Sequence, residues 1–259
     1  MRSLVNSVFC AAMLLASGSV QSGERVVTLR ADEWCPFNCT PGDASPGYMI
    51  EIAVEALGAA GYRVDYATLN WVRSIEEARS GHIDAIVGAT REEAPDFVFP
   101  HPLGTTVDAL AVRNDTKLDL SAPDPFDDFV VGAIRGYDYT GKIGRYLASN
   151  ERDGSRVQLT SGDDALATNL HKLVAGRVDI VVDNENRMRH VLRELGLDQR
   201  VTVITDGDPV PLYIAFSPAN ADSAKIAATL DDGVAELRRS GRLATILDHY
   251  GLVDWEGSR

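Results

Sequence analysis

The chain has 259 residues, 45% of them hydrophobic and 24% charged, and a formal net charge of −13 at pH 7. That length allows a sizeable core and two lobes, while the acidic balance argues against nucleic acid as a partner, because phosphate binding draws on Lys and Arg. His82, His101, His171, His190 and His249 are scattered without paired spacing, so no zinc-like ligand set is expected, and no cofactor.

In chain order, residues 1–22 open with one cation, Arg2, and pass through an apolar run over 4–15 into small residues. This is the tripartite pattern of a secretory signal peptide, with cleavage expected between Ala16 and Gly23. A membrane anchor would want about 20 apolar residues, and Asn6 and Ser7 interrupt a shorter run. Losing the leader removes Arg2 and no acid, taking the net charge from −13 to −14. A soluble periplasmic protein is expected, with no later segment able to span a bilayer.

Cys10 lies in the leader, which leaves Cys35 and Cys39. In an oxidising compartment an even pair reads first as a disulfide. A redox centre usually has two intervening residues rather than three, and zinc would need two further ligands. The pair is expected to be a structural staple worth about 2 kcal/mol or less through unfolded-state entropy.

Short β-branched runs alternating with amphipathic helical segments indicate α/β. A strand is predicted over 26–30 and a helix over 48–60, with Met49, Ile50, Ala53 and Leu57 on one stripe and Gly61 ending it. A strand over 64–68, a helix over 72–79 and a strand over 83–87 follow. After 109–113, the polar, Pro- and Asp-rich stretch 114–128 reads as a linker. A second series has strands over 129–134, 157–160 and 178–182 and helices over 139–149, 163–175 and 185–195. Strands and a Pro-rich hinge occupy 201–216, and helices over 221–239 and 242–250 close the chain.

An internal echo stands out. Gly81-His82-Ile83-Asp84 and Gly176-Arg177-Val178-Asp179 each end a helix and lead into a buried-type strand, about 95 residues apart. The pattern suggests two similar lobes, with the glycine as helix cap. Ligands in open α/β sheets sit at the carboxyl ends of the strands, so two such edges would face one cleft.

Gly47-Tyr48-x-Ile50-Glu51-Ile52-Ala53, the Trp71 segment, Gly81-x-Ile83-Asp84-Ala85-Ile86, Phe97-x-Phe99-Pro100, Gly176-Arg177-Val178-Asp179 and Gly241-Arg242-Leu243 occur in that order. Together they resemble the family 3 bacterial periplasmic solute-binding proteins, the type II substrate-binding proteins of ABC transporters for amino acids. The resemblance implies two α/β lobes joined by two hinge strands, crossing near 113–117 and 209–216. Lobe 1 would comprise 23–114 and 210–259, and lobe 2 would comprise 115–209. It also implies a small-molecule ligand, an inner-membrane ABC permease as partner, and a monomer.

The resemblance implies ligand contacts residue by residue. Trp34 and Phe37 would form an aromatic wall flanked by Asp32 and Glu33, with core packing and solvated charge as the plainer alternatives. Trp71 and Arg73 make another polar-aromatic pair. Gly88 and Thr90 match the loop that supplies amides and a hydroxyl before an arginine that grips an amino acid's carboxylate. Here the chain departs from the pattern, because counting back from Phe99 that position holds Glu93. Either Arg91 reaches the same anion from a shifted position, or the ligand has no α-carboxylate. In lobe 2, Gly136, Tyr137, Asp138 and Tyr139 replace a Gly-Thr-Thr turn, and Asp183 matches the ammonium-binding aspartate or caps the helix after it.

The leading function is therefore a non-enzymatic receptor for a small polar or amine-bearing organic solute, delivered to an ABC permease. One alternative is a dehydratase-like enzyme on the same fold using Glu33 or Glu93 as acid or base, although there is no Ser/His/Asp set or phosphate loop. A soluble partner of a membrane sensor is another. With Asp32, Glu33, Asp138 and Asp183 facing only Arg73 and Arg91, the cleft is expected to prefer an amine-rich end over a simple anionic acid.

Overall fold

The computed structural model describes residues 25–137, 139–162, 164–205 and 207–257. The leader, residues 1–22, and Asp138 lie outside the described residues. Among the described residues no helix is long and apolar enough to cross a membrane.

The chain folds as two five-stranded sheets. The first comprises β1 (Arg25–Ala31), β2 (Tyr62–Thr68), β3 (Ala85–Ala89), β4 (Gly104–Thr106) and β10 (Val210–Phe216), in the order β2-β1-β3-β10-β4. The second comprises β5 (Asp108–Arg113), β6 (Val131–Ile134), β7 (Val157–Thr160), β8 (Ile180–Asn184) and β9 (Val201–Thr205), in the order β7-β6-β8-β5-β9. In each sheet a parallel three-stranded unit takes an antiparallel fourth strand beside its third, β10 on β3 and β5 on β8.

Helices α1 (Tyr48–Ala59), α2 (Trp71–Arg79), α6 (Ser223–Arg239) and α7 (Arg242–His249) belong to lobe 1, and α3 (Gly141–Asn150), α4 (Ala165–Val174) and α5 (Glu185–Glu194) to lobe 2. Met49, Ala53 and Leu57 of α1 are fully buried, as the predicted stripe requires, and Val27, Leu29 and Ala31 alternate inward along β1. These residues share one core with Leu230 and Val234 of α6 and Leu243 and Ile246 of α7. The C-terminal helices thus complete the N-terminal lobe.

The internal echo is structural. In lobe 1 the Asp84 carboxylate accepts from the Thr28 amide at 2.8 Å and its hydroxyl at 2.9 Å. In lobe 2 Asp179 accepts from the Val130 amide at 3.0 Å and from Arg113 at 3.0 Å. Each aspartate precedes the third strand of its parallel unit and ties it to the first.

Two expectations are corrected. The run 108–113 was expected in lobe 1, but β5 pairs with β8 and β9 in the second sheet, so the first crossing falls at Val107, between β4 and β5, rather than near 113–117. The stretch 114–128 is not a linker, because Leu118, Leu120 and buried Phe126 pack against the lobe 2 core. Its polarity reflects the solvent side of a covering loop. The second passage lies between Thr205 of β9 and Val210 of β10.

Beside the crossings, the Asn184 side chain donates to Thr106 Oγ1 and the Glu185 amide to the Val107 carbonyl at 2.9 Å. The start of α5 is thereby anchored to the hinge.

Candidate functional site: the interlobe cleft

The carboxyl ends of β1 and β2 in lobe 1 face those of β6 and β7 in lobe 2 across a cavity of about 1180 Å³. Lobe 1 contributes Asp32, Glu33, Cys35, Cys39 and Asp43 to its walls, with His249 and Tyr250 at the end of α7. Lobe 2 contributes Arg135 and Tyr137 after β6, Ser161 and Asp164 before α4, and Arg187, His190, Arg193 and Glu194 from α5.

The aromatic loop after β1 is built by local bonding. Cys35 and Cys39 are joined by a disulfide, as the cysteine count predicts, with Cα atoms 4.7 Å apart. The Trp34 amide donates to the Asn38 carbonyl at 2.8 Å, and the Cys39 amide to Pro46 at 2.7 Å. Trp34 is half-buried and stacks on Phe37 at 4.2 Å between ring centroids. Phe37 itself is fully buried against Tyr48, so it belongs to the lobe 1 core rather than to the cleft surface. Gly88, with φ +82°, lies under Trp34, and a Cβ there would come within 3.3 Å of the indole. Only the left-handed conformation open to glycine lets β3 turn so close beneath the ring.

Thr90 follows β3 where a ligand's anion was expected. Its amide and hydroxyl instead donate to the Glu93 carboxylate, at 2.9 and 2.8 Å. Arg91 does not occupy an anion site either. Its guanidinium lies between the rings of Phe99 and Tyr213, 4.6 and 4.8 Å from their centroids, and donates to the Tyr213 hydroxyl at 3.2 Å. Such cation–π contacts hold an arginine in place. Arg73 is 67% exposed and pairs with Glu77 along α2 at 3.5 Å, away from the cavity. Trp71 packs against the cluster of Ala89 and Phe97.

Asp183, at the end of β8, is 1% exposed and is bound by Arg187 at 2.7 Å. Its other oxygen accepts the Asn184 amide at 2.8 Å. Asn184, rather than Asp183, caps α5, accepting from the Arg187 amide at 3.0 Å. Burial pushes Asp183 up from an ordinary 3.8 to about 6 despite the pull of Arg187. The guanidinium also lies 5.8 Å from the centre of the Tyr137 ring. Asp32 touches solvent along the cleft, yet enough protein surrounds it that desolvation raises its pKa, with Arg187 lowering it and Glu93 raising it further. Asp32, Glu93, Tyr137, Asp183 and Arg187 therefore act on one another across the cleft.

Of the expected contacts, Asp32, Glu33 and Tyr137 line the cavity, Trp34, Gly88, Thr90 and Asp183 are not among its lining residues, and Phe37, Trp71, Arg73 and Arg91 are engaged elsewhere. The expectation that Arg73 and Arg91 are the cleft's cations is corrected, because Arg135, Arg187 and Arg193 hold that place. The Arg187 pairing was visible as an Asp–Arg spacing of four residues at a strand-to-helix junction. Arg135 and Arg193 carried no local mark.

A profile of the bacterial extracellular solute-binding proteins, family 3, matches residues 26–253. The L-cystine-binding protein TcyA of Bacillus subtilis (strain 168) is 24% identical over 208 residues, covering 79% of this chain and 72% of that protein. Among solved structures, one from work on glutathione import via GshT and the cystine ABC importer TcyBC of Streptococcus mutans superposes with a TM-score of 0.67. It is 19% identical and covers 90% of this chain and 99% of the other. A histidine kinase sensor domain with similarity to periplasmic binding proteins gives 0.66 at 20% identity, covering 89% and 98%. These likenesses at low identity carry the two-lobed type II binding-protein fold, and the family is one of solute receptors, which leaves the enzyme alternative without support. The chain belongs to the bacterial extracellular solute-binding proteins, family 3.

Proposed function

We propose that this chain is the periplasmic receptor of an ABC-type uptake system, capturing an amino-acid-like solute in the interlobe cleft as a monomer. The observation that carries this reading is the cavity of about 1180 Å³ walled by both lobes, with Asp32, Glu33 and Asp43 on the lobe 1 wall and Arg135, Arg187 and Arg193, beside Asp164 and Glu194, on the lobe 2 wall. An amino acid presents both charges, and each gains most where desolvated and paired. The L-cystine-binding relative supports the same class of solute.

Lobe 1 (residues 25–106 and 210–257) and lobe 2 (residues 108–205) close by rotation about Val107 and the passage between β9 and β10. Asp32, Glu33 and Tyr137 contact the solute, with Trp34 and Thr90 backing lobe 1's wall. The closed form presents the joint surface that a permease reads. Trp71, Arg73 and Arg91 have no assigned contact.

The test is a thermal-shift panel of amino acids, diamines and dicarboxylates, followed by small-angle scattering with whichever stabilises the fold. An amino acid at a hundredfold excess over Kd should add about 2.7 kcal/mol and reduce the radius of gyration. Stabilisation without compaction would count against closing lobes.

A further inference from the structure

We propose that the cleft holds its amino acid in an inverted orientation, with the ammonium group on the lobe 1 carboxylates of Asp32 and Glu33 and the carboxylate group on Arg135 and Arg187 of lobe 2. This rests on the amino-acid reading above. The arrangement implied by the family resemblance is the opposite, with carboxylate on lobe 1 and ammonium on Asp183. In this chain both of those positions are satisfied from within.

The Thr90 amide and hydroxyl, which would meet a solute's carboxylate, are bonded to Glu93 at 2.9 and 2.8 Å. A second carboxylate brought there would meet Glu93 as a like charge. Asp183, which would meet the ammonium, is almost fully buried and bound to Arg187 at 2.7 Å. An ammonium group approaching it would meet the guanidinium first.

The remaining charges on the walls have the reverse sense. Lobe 1 lines the cavity with Asp32, Glu33 and Asp43 and, among the described residues, with no Lys or Arg. Asp32 and Asp43 make no ion pair among the described residues, and Glu33 accepts only a hydroxyl, from Thr40 at 3.1 Å. On lobe 2, Arg135 makes no ion pair among the described residues, and Arg193 reaches only the Tyr250 carbonyl at 3.4 Å. Two acids share that wall. Glu194 lies 3.5 Å from His190, and Asp164 stands at the start of α4. Arginine suits a carboxylate because its planar fork can donate two parallel hydrogen bonds. Exposed carboxylates on the facing wall suit an ammonium group, which only donates. A dipolar cleft thus orients a dipolar solute.

Calorimetry on the full mature chain tests the orientation. The probes are the twenty standard L-amino acids and L-cystine, each as free acid, methyl ester and N-acetyl derivative, against the natural chain, Asp32→Asn and Arg135→Gln. Both substitutions alter unpaired cleft side chains, and matched unfolding curves establish that the variants fold.

For a binding amino acid, Arg135→Gln should lose about tenfold or more in affinity for the free acid and little for the methyl ester, whose carboxylate charge is gone. Asp32→Asn should lose as much for the free acid and the ester, and little for the N-acetyl form. An ester that loses as much as the free acid in Arg135→Gln, or an N-acetyl form that loses as much in Asp32→Asn, overturns the inversion while leaving the amino-acid reading intact. If no probe binds the natural chain, the amino-acid reading falls, and the inversion with it.

Discussion

Arg187 reaches back across the start of α5 to grip Asp183 at 2.7 Å, with Asp183 1% and Arg187 12% exposed. A pair this buried is costly to break from one side, because the surviving charge is stranded without water or partner. Arg187→Met should destabilise the fold by about 3 kcal/mol or more. The double variant Asp183→Asn with Arg187→Met should recover most of that loss. Urea unfolding of the four proteins makes the comparison, and additive losses would show that the two residues do not act as a pair.

The same carboxyl makes stability depend on pH in an unusual sense. Its folded pKa of about 6 lies above the ordinary 3.8, so the folded state holds the proton more tightly than the unfolded chain does. Its contribution is complete below about pH 4 and is lost as pH rises through 6, a change on the order of 2–3 kcal/mol. Asp96 and Asp254, held low by hydrogen bonds from Arg79 and Arg238, work in the opposite direction. The informative quantity is therefore the stability of the natural chain minus that of Asp183→Asn. It should fall between pH 4 and 7, and a flat difference would refute the assignment.

Glu93 closes the turn after β3 by accepting from both the Thr90 amide and hydroxyl. Glu93→Ala should loosen that turn by about 1 kcal/mol without unfolding the lobe. Faster hydrogen exchange at the Thr90 amide, with unchanged exchange in β6 and β8, is the expected signature.

The Cys35–Cys39 bond pins the loop that carries Asp32, Glu33 and Trp34. Denatured, exported protein should show no free thiol. Replacing both cysteines with serine should cost about 2 kcal/mol or less in stability, while weakening solute binding more than that small loss suggests. Normal affinity in the double-serine variant would show that the staple does not shape the cleft.

Much of this architecture could be read from residue order. Apolar period and glycine stops mark the helices, because local backbone preference and one-sided burial act within a few residues. The two Gly-x-[Ile/Val]-Asp units mark equivalent positions in the lobes, because each aspartate accepts a backbone amide from the neighbouring strand segment. The disulfide follows from compartment and cysteine count.

Other features needed the third dimension. Only pairing with β8 and β9 assigns residues 108–113 to lobe 2. The Asp183–Arg187 and Thr90–Glu93 contacts are short in sequence, but their importance comes from burial and from the cleft they face. Arg135 and Asp32 stand 103 positions apart, and sequence spacing alone does not place them on opposite walls. Local sequence determined the elements and their order, because the forces that form them are short-ranged. The sign of charge on each wall was decided by tertiary folding, because it depends on which distant side chains share one desolvated space.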